Sequence, residues 1–147
     1  MPLVLIVDNT NQTRSPLCEA LANALAAKQG KTGLVFDSCG WSVDYPERLS
    51  SGLREELERR KMTLDSFRTK RLEMALVEKA TAIVCMHDEI AKKVREAYPL
   101  KASQVLSFGE VSALKGVSAQ DYKNCADAVQ AALERNWTKI VSLAGNF

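Results

Sequence analysis

A chain of 147 residues, 46% hydrophobic and 26% charged, has the length of one domain and enough apolar material for a real core. A formal net charge of +2 is too small to mark a nucleic-acid binder, and no apolar run is long enough to span a membrane. The N-terminal stretch "MPLVLIVDN" lacks a basic region and a cleavage site, so a cytoplasmic protein is expected.

Along the chain, the apolar run at residues 3–7 reads as a strand buried on both faces. Residues 15–29 follow helical spacing, with Leu17, Leu21, Ala24, Leu25 and Ala27 as the apolar stripe. Pro16 sits in a first turn that tolerates it, and Gly30 is a natural stop. The run "GLVFDSCG" is a second strand ending in a turn, and residues 50–61 and 71–79 read as helices. Residues 81–86 form a third central strand, 88–98 a helix stopped by Pro99, and 104–108 a fourth strand. A long helix from 118 to about 137 closes the chain. This alternation predicts a parallel sheet with helices on both faces, and ligands beyond the carboxyl ends of its strands.

Four cysteines, Cys18, Cys39, Cys85 and Cys125, are widely spaced, without a C-x-x-C pair and with His87 as the only histidine. That pattern predicts free thiols in a reducing compartment, packed as small hydrophobes, and no zinc site.

The stretch "VDNTNQTRSP" is where chemistry concentrates. Asn9, Thr10, Asn11, Gln12 and Thr13 can curl with their N–H groups inward, and the helix that starts near Ser15 adds its positive end. Arg14 offers a planar fork suited to phosphate, and Asn11 tolerates the left-handed backbone that such nests use. The competing reading is an ordinary strand-to-helix turn capped by Ser15.

Together these residues resemble the low-molecular-weight protein tyrosine phosphatases, whose signature is C-x-x-x-x-x-R-[ST] followed by Pro. Asn11, Arg14, Ser15 and Pro16 match it, and "DSCG", "LDSFRTKRL", "ATAIVCMHDEIAKKVREAYP", "VLSFGE" and "SAQDYKNCADAVQAALE" resemble later segments of the family in order. The resemblance covers nearly the whole chain. It implies a phosphate-binding loop over residues 8–15, and a cleft walled by Trp41 and Tyr45. Those two aromatics could instead pack as a local hydrophobic cap. It also implies that Ser15 supports the loop and that Arg68 braces it.

The departures fall on the reactive atoms. At the nucleophile position, where the family has Cys, stands Asp8; Thr10 replaces a Gly, and Thr13 a frequent second Cys. The family's general acid is an Asp in an Asp-Pro pair, and counting back from "QDY" places Ala113-Leu114 there, leaving Glu110 and Asp121 as nearby carboxylates. Because Thr10, Thr13 and the missing pair accompany Asp8, a single engineered substitution does not explain the set. Asp8 is a hard anion where the parent chemistry uses a polarizable thiolate. A phosphate oxygen at about 4 Å from it would feel ~1–4 kcal/mol of repulsion. Asp8 is therefore expected to accept N–H bonds from the loop, pair with Arg14 and hold the nest closed.

Other readings of these residues are weaker. A phosphomonoester hydrolase using Asp8 in place of Cys is the first alternative. An arsenate reductase would use Cys85 but lacks its first thiol; a receiver domain would start at "LIVDN" but its third strand would not end in Cys85-Met86. A haloacid-dehalogenase-type phosphatase, from "DNT", leaves "RSP" unexplained. The basic stretch Arg59 to Lys61, with Arg68, Lys70 and Arg71, is interleaved with Glu55, Glu56, Glu58 and Asp65 and reads as a solvated face. His87 is expected exposed at a helix start.

The expectation is one doubly wound α/β domain over residues 1–147, with a four-stranded parallel sheet in the order 2-1-3-4. Its function is that of an impaired phosphatase relative, binding a phosphorylated or acidic ligand, or a protein partner, at residues 8–15. No cofactor, metal, nucleic acid or membrane is expected, and the oligomeric state is left open.

Overall fold

The computed structural model describes residues 2–64 and 66–145. Asp65, counted above among the interleaved acids, lies outside the described residues. Four parallel strands, β1 (Leu3–Asp8), β2 (Val35–Gly40), β3 (Ala82–Cys85) and β4 (Val105–Ser107), form one sheet in the order β2-β1-β3-β4. Among the described residues five α-helices surround it: α1 (Arg14–Lys28), α2 (Ser51–Arg59), α3 (Met74–Lys79), α4 (Asp88–Ala97) and α5 (Ala119–Ala144).

The pleat of β1 divides the core. Val4 and Ile6 point into a cluster with Leu17 and Leu21 of α1, Leu53 and Leu57 of α2, and Leu133 of α5. Leu5 and Val7 point the other way, against Val77 of α3 and Ile90 and Val94 of α4. The central strands are apolar throughout because both faces are covered. Phe36 and Trp137 stack with centroids 5.6 Å apart, fixing β2 against α5.

Several boundaries differ from the sequence reading. Helix α1 buries Cys18, Ala22 and Ala26, while Ala24 and Ala27 face solvent. Wedged between the sheet and α5, it turns its small residues inward, where apolar spacing alone suggested the opposite pair. The segment expected as helical from residue 71 is extended at first: Leu72 N–H donates to the Gly40 carbonyl (2.8 Å), and Gly40 N–H to that of Lys70 (2.9 Å). Pro99 does not merely stop α4; it opens a 3-10 turn, Pro99–Gln104. Helix α5 runs past Trp137 to Ala144 because Ile140 and Ala144 continue its buried stripe. All four cysteines are free and buried, and burial pushes the Cys85 thiol up to about 12. Among the described residues no helix is long and apolar enough to cross a membrane.

Helix α2 docks on α5 through a buried carboxylate. Glu56, 2% exposed, accepts from Arg60 Nε (2.6 Å) and Arg59 Nη2 (2.9 Å), and Arg60 continues to Asp127 (2.6 Å) and Gln130 (2.9 Å) on α5. Burial raises the Glu56 pKa, but the bonds from Arg60 and Arg59 together outweigh it and hold the carboxyl below its usual range. Its stabilisation is therefore present above the unfolded value of about 4.3 and lost as pH falls through the lowered folded value. Glu56→Gln is expected to cost about 1–3 kcal/mol in urea unfolding at pH near 7, a deficit that narrows below pH near 4.

Candidate functional site

Where β1 ends, the sheet order reverses: α1 leaves β1 on one face and α4 leaves β3 on the other, which opens a crevice at the strand tips. The chain crosses this crevice as the loop 8–15, held along β2 by Trp41 N–H to the Asp8 carbonyl (2.9 Å) and Ser42 N–H to the Asn9 carbonyl (2.7 Å). Gly40 is required at this crossing. A Cβ there would meet the Asn11 nitrogen and the Asn9 oxygen at 2.9 Å each.

Asp8 is 3% exposed and lies inside the loop. Its Oδ1 accepts the Asn11 N–H at 2.6 Å and its Oδ2 the Ser15 N–H at 2.9 Å. The second bond comes from the open first turn of α1, so the carboxylate serves as the anion at the helix's positive end. Thr13, which precedes the helix, supplies no side-chain cap. Burial pushes the Asp8 carboxyl above its ordinary range; the N–H groups of Ser15 and Asn11, and least of all the charge of Arg14, pull the other way.

The expected Asp8–Arg14 ion pair is absent among the described residues. Arg14 Nη1 instead donates to the Val111 carbonyl at 2.9 Å. Both Asp8 oxygens already face N–H groups of the loop, and the guanidinium finds its acceptor on the segment after β4.

Asn11 is the hub of the loop. It is fully buried at φ 59°, the left-handed conformation that asparagine tolerates. Its Nδ2 donates to Ser15 Oγ (2.8 Å) and Ser38 Oγ (3.0 Å), and its Oδ1 accepts the Lys70 N–H (3.0 Å). Ser38 Oγ passes on to Glu19 Oε1 at 2.7 Å. The backbone N–H groups of Thr10, Gln12, Thr13 and Arg14 make no hydrogen bond within the described chain.

Ser15 supports the loop through its side chain, as expected. Arg68 does not brace it: the side chain is exposed and bonds the neighbouring Phe67 carbonyl (2.9 Å), and the brace comes from the backbone of Lys70. His87 is half-buried ahead of α4, not exposed. Trp41 packs, half-buried, on the cluster of Leu5, Val7 and Cys39, whereas Tyr45 is 66% exposed. With Thr10, Gln12, Val43 and Asp44, Tyr45 lines a cavity of about 170 Å³ beside the loop. Gln12 Nε2 spans to Glu47 Oε2 (3.1 Å) at its edge.

Of the carboxylates near the expected general-acid position, Asp121 borders a cavity with Ser112 and Ala113, and Glu110 precedes the Val111 that holds Arg14. Asp121 Oδ2 accepts from the N–H (3.1 Å) and hydroxyl (2.8 Å) of Ser118 in the cap of α5, and Glu110 is exposed. Among the described residues no group of three His, Cys, Asp or Glu side chains is arranged to hold a metal ion. Sequence reasoning missed Ser38, Glu19, Lys70 and the Val111 carbonyl. The "DSCG" turn signalled the first of these, and nothing local signals a backbone acceptor far along the chain.

The family model for low molecular weight phosphotyrosine protein phosphatase matches residues 3–142. No curated protein matches the sequence. Among solved structures, the low molecular weight protein tyrosine phosphatase from T. tengcongensis is 22% identical with a TM-score of 0.85, covering 95% of this chain and 99% of its own. A YwlE mutant from Bacillus subtilis is 20% identical with a TM-score of 0.85 and the same coverage. The arginine phosphatase YwlE, as a Cys-to-Ser mutant with a phosphorylated active site serine, is 21% identical with a TM-score of 0.81, covering 97% and 99%.

Two outcomes follow from the loop's wiring. Asn11→Ala removes one acceptor and two donors from a buried network and is expected to lower stability by about 3 kcal/mol in chemical denaturation. Asp8, whose folded pKa is raised, favours the folded state most below the unfolded value of about 3.9, and that contribution declines as pH rises through the folded value. Asp8→Asn removes this decline, so the stability difference between variant and wild type should move toward the variant from acid to neutral pH.

Proposed function

We propose that this chain, which belongs to the low molecular weight phosphotyrosine protein phosphatase family, is an impaired phosphatase that recognises a phosphorylated or acidic ligand, free or on a protein partner, at residues 8–15. The observation that carries this reading is the buried Asp8 carboxylate, bonded through both oxygens to N–H groups of its own loop.

The reaction of the family needs a nucleophile aimed at phosphorus and an acid for the leaving oxygen. Here the group at the nucleophile position is buried and holds one N–H on each oxygen, and attack by either oxygen would weaken its bond to Asn11 or to Ser15. Loss of a general acid by itself lowers turnover by about 10²–10⁴. Binding is less affected. The N–H groups of Thr10, Gln12, Thr13 and Arg14 can each contribute about 1.5–3 kcal/mol to a charged oxygen, which outweighs repulsion of ~1–4 kcal/mol from Asp8. Arg14 joins them by exchanging the Val111 carbonyl for the ligand. Tyr45 and its neighbours flank whatever carries the anion. The free thiols suit a reducing compartment, and we place the protein in the cytoplasm.

A second reading has Asp8 attack phosphorus itself. In its favour stands the YwlE mutant described above, in which an oxygen nucleophile carries the phosphoryl group. Turnover of para-nitrophenyl phosphate from mildly acidic to neutral pH separates the two, with Arg14→Ala alongside and with or without magnesium. The expected result is no turnover above Arg14→Ala, with inorganic phosphate bound by the wild type and bound about tenfold more weakly, or less, by that variant. Turnover that Arg14→Ala abolishes would overturn impairment, and a magnesium requirement would point to an aspartyl-phosphate.

A further inference from the structure

The basic face around residues 48–71 is not uniformly solvated. Arg59 and Arg60 are consumed by Glu56 and Asp127. Arg48, Arg54 and Arg68 are exposed and form no ion pair with any carboxylate among the described residues; all three border one cavity of about 260 Å³. Its apolar lining is Leu49, Leu57, Met62, Leu64 and Phe67, of which Leu49 and Leu57 are buried in the main core. Glu58 is the one carboxylate among the described lining residues.

The cavity is built into the backbone. At one end Lys61, at φ 61°, turns the chain back at the end of α2, with its N–H on the Glu58 carbonyl (2.9 Å) and Met62 N–H on that of Leu57 (2.8 Å). At the other end Thr69 N–H bonds the Glu47 carbonyl (2.9 Å), and Glu47 N–H bonds Thr69 Oγ1 (2.9 Å). The walls are therefore tied at both ends with no ligand's help. A cavity of roughly 150 Å³ already admits a benzene ring, so this volume takes a single ring or a medium acyl chain. Guanidinium groups at the mouth suit a carboxylate or phosphate, which they can bind in bidentate fashion.

We infer that this cavity is a second ligand site, separate from the loop 8–15, for a small amphipathic organic anion whose apolar body sits on Met62 and Phe67 and whose charge meets Arg48 and Arg54. Charge complementarity selects the anion over its neutral or cationic counterpart, because the described lining carries three guanidinium groups and one carboxylate. The inference is independent of what the loop binds.

Octanoate is a suitable probe, titrated into the full chain below its micellar range and followed by amide NMR. Octanol and octylamine serve as neutral and cationic controls. The expected result is saturable shifts centred on residues 57–68, with octanol at least about tenfold weaker and octylamine weaker still. The double variant Arg48→Gln/Arg54→Gln changes only exposed side chains and should keep the fold while losing about tenfold in octanoate affinity. Absence of saturable shifts at these residues, equal binding of octanol, or undiminished binding by the folded double variant would each overturn the site. Octanoate shifts confined to residues 8–15 would also overturn it, by assigning the anion to the loop.

Discussion

A carboxylate buried at the start of a helix governs the rest of this site. Asp8 sits where β1 hands the chain to α1, and its two oxygens take the N–H groups of Asn11 and Ser15. The first-turn N–H groups of a helix need an acceptor, and in a loop of this shape an oxyanion ordinarily supplies it. Here the chain supplies its own. The cost of burying a charge is offset only in part by the two N–H bonds and the helix dipole, which is why the Asp8 pKa stays raised, and the loop keeps its shape without an external anion. That internal acceptor shapes the mouth of the crevice, because both Asp8 oxygens are turned onto N–H groups of their own loop.

Around this anion the loop is held by a network that reaches three other parts of the fold. Asn11 joins α1 through Ser15, β2 through Ser38 and the segment beyond α2 through Lys70, while Ser38 reaches Glu19. Gly40 lets the backbone pass closely over β2. A polar cluster in the interior is stable only when each member is satisfied, and among the described residues no buried side-chain polar atom lacks a partner. Arg14 extends the wiring to the segment after β4 through the Val111 carbonyl. The fold of the family is thus kept over nearly the whole chain, with a buried polar network shaping the loop after its first strand.

The sequence by itself determined the alternation of strands and helices, since a five-residue apolar run and a fifteen-residue run of helix formers between turn signals differ in length and in period. It also carried the loop, because Asn11, Arg14, Ser15 and Pro16 are residue types whose local physics restricts the backbone they adopt. It put Asp8 at the start of that loop, at the position where the resemblance led us to expect a Cys. Tertiary structure decided the partners. Whether Arg14 faces Asp8 or Val111 depends on where a segment about a hundred residues away comes to rest. Which side of α1 is buried depends on α5 lying across it, and the extended path of residues 70–72 depends on the free edge of Gly40. Periodicity records what a segment can bury and motifs record what a loop can bind. Long-range hydrogen bonds and the pairing of charges are settled only when distant segments compete for the same atoms.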